Sequence, residues 1–271
     1  MKSSLLIILL ITGNSCTKIH YFPDKHIVID SPRIIAHRGG RTETLPENSL
    51  EGCISVLPLM DGIEVDVQIS NDKTIWLSHS PIVEDCGHSL NCFAATCDYE
   101  IEKISSCIDT GNAYGKLEDV LKYMNDNDIR KYICIDLKAW EPCNINSLNI
   151  PHLMNLEADK IIELGEKYQL SPYLLFESET SSVLKHVNEK NVEASTYLIS
   201  YGDYDTDMAK ALEHNFDGIS FKTNFKDELD ADKMNLLHQK GLRLLAWNVP
   251  DSSYLEYLKS IEVDFIMWDL E

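Results

Sequence analysis

The sequence has no linker and no block of one charge that would divide it into separate domains. Its 271 residues include only 12 glycines and 9 prolines, and no stretch is dominated by Pro, Gly or Ser. Because 44% of the residues are hydrophobic and 25% are charged, a chain of this length can bury one sizeable core. We therefore predict a single large α/β domain rather than two small ones.

Positive charge is scarce in this chain. It has 24 Lys and Arg against 44 Asp and Glu, which gives a formal net charge of −20. Proteins that bind nucleic acid usually present a basic face, so this balance argues against a nucleic-acid partner. An acidic protein that handles an anionic substrate needs local positive charge, which a bound divalent cation and a few placed Arg or Lys side chains supply.

The N-terminal apolar run is too short to cross a membrane. Leu5 to Ile11 has seven residues, whereas a transmembrane helix needs about 20. Lys2 precedes this run and the small residues Gly13 to Ser15 follow it, directly before Cys16. This order is typical of an export signal.

Residues 1–16 are therefore predicted to be a signal peptide. A Cys after small residues resembles the end of a bacterial lipoprotein signal, in which Cys16 becomes lipidated; secretion without a lipid is the alternative. In both cases we expect an exported protein, either periplasmic or anchored to the membrane through Cys16. Residues 17–31 are then a tether, and residues 32–271 form the folded domain.

The cysteine spacing lacks the paired C-x-x-C knuckles of structural zinc sites. Four of the 8 cysteines crowd into one stretch, namely Cys86, Cys92, Cys97 and Cys107. In an exported protein this crowding predicts one or two disulfides that staple a long loop, with a zinc site as the alternative. Cys134 lies within a strand pattern, so we expect it to be a buried free thiol.

Short apolar runs rich in β-branched and aromatic residues alternate with amphipathic segments of helical spacing. The predicted strands are 33–37, 62–69, 74–79, 132–138, 173–177, 194–199, 217–221, 243–248 and 263–268, and the predicted helices are 156–168, 181–189, 207–214, 232–240 and 252–260. Eight strand-helix units in about 240 residues predict a closed parallel (β/α)8 barrel.

Two of the predicted strands are too close for a helix between them. Residues 62–69 and 74–79 are expected to form a hairpin that turns around Asn71-Asp72. A two-residue loop places His79 opposite Glu64 on the same face. A loop that is one residue longer turns His79 to the other face.

Three carboxylates occupy strand positions that a barrel can bring together. Glu64 and Asp66 share one face of their strand because strand side chains repeat every two residues. Asp136 and Lys138 share a face near the C-terminal end of another strand, where barrel enzymes carry their active sites. Such carboxylates repel one another, and a hard cation such as Ca²⁺ or Mg²⁺ relieves the repulsion. The alternative is an exposed strand face with solvated acids.

His37 and Arg38 close the first predicted strand. Gly39 and Gly40 follow them and allow a sharp turn and the close approach of a substrate. Arg38 is suited to a bidentate grip on phosphate oxygens. Together with His79 near the same cation, His37 supplies a general acid-base pair.

Taken together, these residues resemble the glycerophosphodiester phosphodiesterase family. The matching elements are His37-Arg38-Gly39, Pro46-Glu47-Asn48, Gly62 to Val67, His79, Asp136-Leu137-Lys138 and Trp247-Asn248-Val249. Their order and spacing are similar to those of the family from Arg33 onward. Three positions depart from the family pattern: Ser80 replaces the usual Asp, Asp136 replaces the usual Glu, and Trp268-Asp269 replaces the usual Thr-Asp.

The resemblance implies a distorted TIM barrel that hydrolyses a glycerophosphodiester to glycerol 3-phosphate and an alcohol through a cyclic phosphate. It implies that His37 is the general base and His79 the general acid, two roles that can be exchanged. It also implies a divalent cation, Ca²⁺ or Mg²⁺, held by Glu64, Asp66 and Asp136.

The same resemblance implies how the substrate is held. Arg38 and Lys138 are expected to grip the phosphoryl oxygens. Trp247 is expected to form an apolar wall against the glycerol carbons, with a place in the barrel core as the alternative. Glu47 and Asn48 are expected to hold the His37 loop from behind.

An insert at residues 82–115 directly follows His79, so we expect it to cover the mouth of the barrel and to select the alcohol. Two other functions stay open. One is a barrel of phospholipase C or D type that acts on a lysolipid or phosphatidylinositol and leaves a cyclic product. The other is a surface binding protein whose catalysis has decayed through Ser80 and Asp136. No protein partner is predicted.

Overall fold

The computed structural model describes residues 32–40, 45–85, 88–104, 114–138, 149–223 and 229–270. The predicted signal peptide, Cys16 and the tether at residues 17–31 lie outside these residues, as do Cys86 and Cys107. No helix among the described residues is long and apolar enough to cross a membrane.

Nine of the described strands agree closely with the predicted ones, whereas the two at Ile82–Asp85 and His88–Cys92 were not predicted. They are β1 (Arg33–Ala36), β2 (Gly62–Ile69), β3 (Ile75–Leu77), β4 (Ile82–Asp85), β5 (His88–Cys92), β6 (Tyr132–Asp136), β7 (Leu174–Ser178), β8 (Ser195–Ser200), β9 (Gly218–Lys222), β10 (Arg243–Trp247) and β11 (Phe265–Trp268). The helices are α1 (Leu50–Val56), α2 (Asp98–Ile101), α3 (Leu117–Asp126), α4 (Ile150–Lys167), α5 (Ser181–Lys190), α6 (Tyr204–His214), α7 (Ala231–Gln239) and α8 (Ser252–Ser260).

Eight parallel strands close into a barrel, which confirms the predicted fold. Their order around the ring is β1-β2-β6-β7-β8-β9-β10-β11, and β11 pairs with β1. The antiparallel β3 extends the sheet beside β2. A parallel barrel needs a crossover between successive strands, and helices provide it for most of the ring.

Strand side chains alternate between two cores. One core lies between the strands and the helices. A second, smaller cluster fills the barrel, with Ile35, Cys134, Leu175, Tyr197, Leu245, Phe265 and Met267. Cys134 is buried and free, as predicted. Alternation of this kind places the last inward side chains of the strands at the barrel mouth.

The helices differ from the predicted ones mainly at their starts. The helix predicted from Leu156 begins at Ile150, because Asn149 caps it and accepts a hydrogen bond from the His152 N–H at 3.3 Å. Helices α1, α2 and α3 were not predicted. The buried residues of α3, at Leu117, Val120, Leu121 and Met124, follow the helical period, so the sequence did contain this signal.

The β2–β3 hairpin contains one loop residue more than predicted. Val67 pairs with Leu77, and Lys73 takes the third loop position with a φ of 69°. The predicted pairing of His79 with Glu64 is therefore wrong. β3 ends at Leu77, so strand alternation does not fix the direction of the His79 side chain.

The insert packs beside the barrel. Its hairpin of β4 and β5 and its short helix α2 surround Trp76 of β3, together with Val83, Phe93 and Ile101. Cys92 is disulfide-bonded, as predicted for this stretch, whereas Cys97 is free.

Candidate active site

The C-terminal ends of the barrel strands surround a cavity of about 620 Å³. Eight of the residues predicted for the site line it, namely His37, Arg38, Glu64, Asp66, His79, Asp136, Lys138 and Trp247. They lie in β2, β6 and β10 or in the segments that directly follow β1, β3 and β6. Closure of the barrel is what brings these separate parts of the chain together.

Three carboxylates line one side of the cavity. Glu64 and Asp66 are alternate residues of β2, and Asp66 lies beside Asp136 in the register of β2 and β6. All three are buried. Each offers an oxygen, and these ligand atoms lie within 4.8 Å of one another.

Burial and mutual repulsion destabilise the ionised forms of two of these carboxylates. Burial, and then the charge of Asp66, raise the pKa of Glu64 to about 8. Burial raises the pKa of Asp136 to about 6, although Lys138 opposes this shift. Burial also disfavours ionised Asp66, but the Lys138 ammonium and the Asn48 amide outweigh it and lower its pKa.

This set of side chains fits a hard divalent cation. One oxygen of Asp136, Oδ2, lies 3.0 Å from the Lys138 ammonium. The other, Oδ1, is buried without a hydrogen-bond donor in the described protein. A buried carboxylate oxygen in this position is costly unless a positive group meets it. The donor set of oxygens alone is that of Ca²⁺ or Mg²⁺.

Lys138 ties two of the carboxylates together. Its ammonium pairs with Asp66 Oδ1 and with Asp136 Oδ2. These two partners outweigh burial and raise the pKa of Lys138. The lysine therefore holds a fixed positive charge at the edge of the proposed cation site.

His37 lies between two carboxylates. Its Nδ1 is 2.7 Å from Asp269 Oδ1, and its Nε2 is 3.8 Å from Glu64 Oε2. Burial lowers the pKa of His37, but the hydrogen bond to Asp269 and the charge of Glu64 outweigh burial and raise it overall. A positive charge among the three carboxylates would reduce the effect of Glu64 and lower this pKa.

Arg38 follows His37 in the left-handed region, with a φ of 50°. This turn points its backbone N–H at Glu64 Oε2, at 2.7 Å. Its side chain lies 2.8 Å from Glu47 Oε1 and 3.4 Å from Asp66 Oδ2. The residue thus fixes one metal-ligand candidate with its backbone and approaches a second with its guanidinium.

Asn48 hydrogen-bonds to the loop that contains Arg38. Its backbone N–H donates to the Arg38 carbonyl at 2.7 Å. Its side-chain amide donates to Asp66 Oδ2 at 2.9 Å and accepts from the Asp66 N–H at 3.0 Å. Asn48 therefore connects the backbone of the Arg38 loop to the Asp66 carboxylate.

His79 differs from His37 in its electrostatic environment. Burial lowers its pKa, and the nearby charges of Lys138 and Arg38 lower it further against the attraction of Asp66. Ser80, which replaces the usual Asp of the family, accepts a hydrogen bond from the Ile82 N–H at 3.1 Å. Its hydroxyl thus supports the turn into the insert.

A family model describes the same residues. The model of the glycerophosphoryl diester phosphodiesterase family matches residues 37–270. The chain belongs to this family. No match was found among curated proteins.

Solved structures share this fold. A glycerophosphodiester phosphodiesterase from Parabacteroides distasonis is 20% identical with a TM-score of 0.71, over 89% of this chain and 94% of that one. One from Thermotoga maritima is 18% identical with a TM-score of 0.65, over 87% and 93%. A phosphodiesterase from Oleispira antarctica, in complex with the product sn-glycerol-3-phosphate, is 17% identical with a TM-score of 0.69, over 88% and 92%. At these identities the likeness shows the fold.

Beyond the family motifs, the cavity has walls that sequence reasoning missed. These additional residues are Glu177, Glu179, Ile199, Tyr201, Lys222 and Met267, whereas Leu137, Asn248 and Asp269, which also line it, stand in the motifs named above. Glu177 was detectable, because it is an acid at the end of an apolar predicted strand. It is buried and accepts a hydrogen bond from Ser220 at 2.5 Å. Burial, and then the charge of Asp136, raise the pKa of Glu177 well above its usual value.

The insert does not contribute to this cavity in the part that the structure describes. None of residues 82–85, 88–104 or 114–115 lines it. The expectation that the insert covers the barrel mouth is wrong for these residues, because they pack instead around Trp76 on the side of β3.

Proposed function

We propose that this member of the glycerophosphodiester phosphodiesterase family hydrolyses glycerophosphodiesters to glycerol 3-phosphate and an alcohol, with a divalent cation and two histidines. The observation that carries the proposal is the convergence of His37, His79, Arg38 and Lys138 on the three carboxylates in one cavity. The Oleispira antarctica relative in complex with sn-glycerol-3-phosphate supports the nature of the product.

Glu64, Asp66 and Asp136 would hold the cation. When bound, it supplies positive charge that acidifies the glycerol hydroxyls and stabilises charge on the phosphoryl group. Arg38 and Lys138 place two further positive charges in the same cavity, where they would grip the phosphoryl oxygens. Trp247 would form an apolar wall of the substrate cavity.

His37 is the general base in this proposal. Its Nδ1 is engaged by Asp269, so Nε2 is the atom left to accept the proton of the glycerol hydroxyl next to the phosphate. That hydroxyl oxygen bonds to phosphorus while the bond from phosphorus to the departing alcohol oxygen breaks. His79 donates a proton to the departing oxygen. Water then opens the cyclic phosphate with the two roles reversed.

A substrate whose leaving group needs no protonation can show which of the two histidines is the acid and which is the base. In the p-nitrophenyl diester of glycerol phosphate, the leaving group is p-nitrophenolate, which departs as an anion and needs no proton from an acid. We expect His79→Ala to lose activity on glycerophosphocholine and to recover most of it on the p-nitrophenyl diester. His37→Ala should stay inactive on both substrates. The opposite pattern would assign the acid to His37.

The main test is glycerol phosphate release from glycerophosphocholine and glycerophosphoethanolamine by the full chain, with and without chelator. We expect the chelator to abolish turnover, and His37→Ala and His79→Ala to reduce kcat by about 10²–10⁴-fold. His152→Ala, at an exposed position of α4, is the matched control and should keep full activity.

Three outcomes would contradict the proposal. Turnover that neither the chelator nor His37→Ala changes would exclude this site as the reaction centre. A cyclic phosphate that persists in phosphorus NMR would favour a barrel of phospholipase type. Diester binding without turnover, with cation supplied, would favour a binding protein.

We also propose that the protein is exported and lipidated at Cys16. The support is the order of Lys2, the apolar run Leu5 to Ile11 and the small residues before Cys16. Mass spectrometry of the mature N-terminus tests this proposal. Unlipidated protein cleaved elsewhere would favour plain secretion.

A further inference from the structure

Lys222 lies on the wall of the cavity that faces the carboxylates. It is the last residue of β9 and lines the same cavity as Glu64 and Asp66. In the ring of eight parallel strands, β9 is as far from β2 as any strand can be in either direction. The cavity therefore has the three carboxylates on one side and an additional cationic side chain on the other, where Glu179, the hydrogen-bond partner of Tyr201, also lines it.

Two aromatic rings hold the Lys222 ammonium. Its Nζ is 5.1 Å from the centroid of the Trp247 ring and 5.7 Å from that of Tyr201. The two rings meet edge to face, with centroids 5.6 Å apart. An ammonium over ring faces is attracted by their negative potential, so this position is a favourable one for the lysine.

The rings are themselves anchored. Trp247 Nε1 donates to the Ser220 carbonyl at 3.3 Å, and the Tyr201 hydroxyl donates to Glu179. Thr223 Oγ1 donates to the Trp247 carbonyl at 2.9 Å, which joins the ends of β9 and β10. Among the described carboxylates, none forms an ion pair with Lys222. The ammonium is thus positioned in advance and available to a ligand.

We propose that Lys222 determines the substrate class, by favouring diesters whose leaving alcohol carries negative charge over those whose alcohol carries a quaternary ammonium. This inference rests on the proposed function. If the carboxylate side of the cavity holds the glycerol end, the alcohol extends toward the opposite wall. At that wall the Lys222 ammonium would repel a quaternary ammonium and already covers the aromatic rings that could bind one. The same ammonium would attract a second phosphate.

The test compares three diesters on the full chain with divalent cation: glycerophosphocholine, glycerophosphoglycerol and glycerophosphoinositol 4-phosphate. Their alcohols are cationic, neutral and anionic. We expect kcat/KM to be at least about tenfold higher for the anionic alcohol than for the cationic one. Lys222→Met should remove or reverse this preference, because it vacates the faces of Tyr201 and Trp247, whereas Lys222→Arg should keep it.

Lys233→Met is the matched control. Lys233 also lies over an aromatic ring, 5.5 Å from the centroid of Tyr204, but it does not line the cavity. Its replacement removes one positive charge from the protein and should leave the preference unchanged. An equal shift in Lys233→Met and Lys222→Met would show that only net charge matters and would overturn the inference.

Failure of this inference is distinguishable from failure of the proposed function. Turnover of the wild-type protein with no preference, or with a preference for the choline diester, overturns the role of Lys222 alone. If none of the three diesters is turned over, the proposed function fails. Calorimetric titration of the same diesters into the wild-type and Lys222→Met proteins then decides whether Lys222 selects the anionic alcohol, because it reports binding without chemistry.

Discussion

His37 Nδ1 lies 2.7 Å from Asp269 Oδ1, although the two residues are 232 positions apart in the sequence. They meet because β1 and β11 are parallel neighbours, with Ala36 opposite Trp268. His37 directly follows Ala36 and Asp269 directly follows Trp268, so the two side chains leave neighbouring strand ends. The carboxylate of Asp269 fixes the ring so that Nε2 is the atom available for proton transfer.

We expect Asp269→Asn to reduce kcat by about 10–100-fold with little change in KM, because an orienting partner of a histidine acts on catalysis more than on binding. The pKa of His37 in the cation-free protein should fall, since the Asp269 charge helps to raise it. Steady-state kinetics and an NMR titration of the His37 ring measure the two effects. Asp232→Asn, at an exposed position of α7, is the control. An unchanged pKa of His37 would show that the pair does not form in solution.

Asn48 links the Arg38 loop to Asp66, with a φ of 52°. Asn48→Ala removes both side-chain hydrogen bonds to Asp66, and we expect it to lower the free energy of unfolding by about 1–3 kcal/mol and to weaken cation binding. Denaturant unfolding and calorimetry measure the two losses.

Two other variants separate the backbone from the side chain at this position. Asn48→Gly tolerates the positive φ and should recover part of the stability without recovering cation affinity. Asn215→Ala tests strain alone, because Asn215 has a φ of 56° at the end of α6 and lies outside the cavity. Normal cation affinity in Asn48→Ala would contradict the role of Asn48 at Asp66.

Cation affinity should rise with pH. Only ionised carboxylates bind the cation, and the pKa values of Glu64 and Asp136 are raised to about 8 and about 6. A bound cation therefore displaces protons below these values, and we expect the affinity for Ca²⁺ or Mg²⁺ to increase up to about pH 8 and then to level off. Calorimetric titration across this range measures it.

Glu64→Gln serves as the comparison in that titration. It removes the carboxyl with the higher pKa, so the remaining affinity should be weaker and should level off at lower pH. An affinity that is flat across neutral pH in the wild-type protein would show that the three carboxylates are not the ligands.

Gly40 adopts a φ of 78°, and a Cβ there would lie 2.3 Å from Val56 Cγ1. We expect Gly40→Ala to lower the free energy of unfolding by about 1–3 kcal/mol, from strain and overpacking together. Thermal unfolding measures the loss. Gly202→Ala is the control for strain alone, because Gly202 has a φ of 117° with open space around it. An equal decrease in the free energy of unfolding in the two variants would show that contact with Val56 does not destabilise Gly40→Ala.

Local patterns in the chain were sufficient to predict the barrel and the residues that converge in the candidate site. Runs of β-branched residues marked the strands, and the two-residue period placed Glu64 and Asp66 on one face. The same period placed Asp136 and Lys138 together at the end of β6. These features depend on neighbours a few residues apart, so they can be read without knowing the fold.

Contacts between distant segments could not be predicted in the same way. The loop of the β2–β3 hairpin is one residue longer than predicted because Lys73 takes a positive φ, which the sequence did not indicate. His37 meets Asp269 only because the ring closes between β1 and β11.

The amino-acid sequence by itself therefore determined the strands of the barrel, the family and the carboxylates of the candidate site. The tertiary structure alone decided which strand ends face one another, and so placed Lys222 on its aromatic rings opposite Glu64. The physical reason is that alternation along a strand is a local property. Proximity across the barrel is set by strand order and by closure of the sheet, which no short stretch of sequence contains.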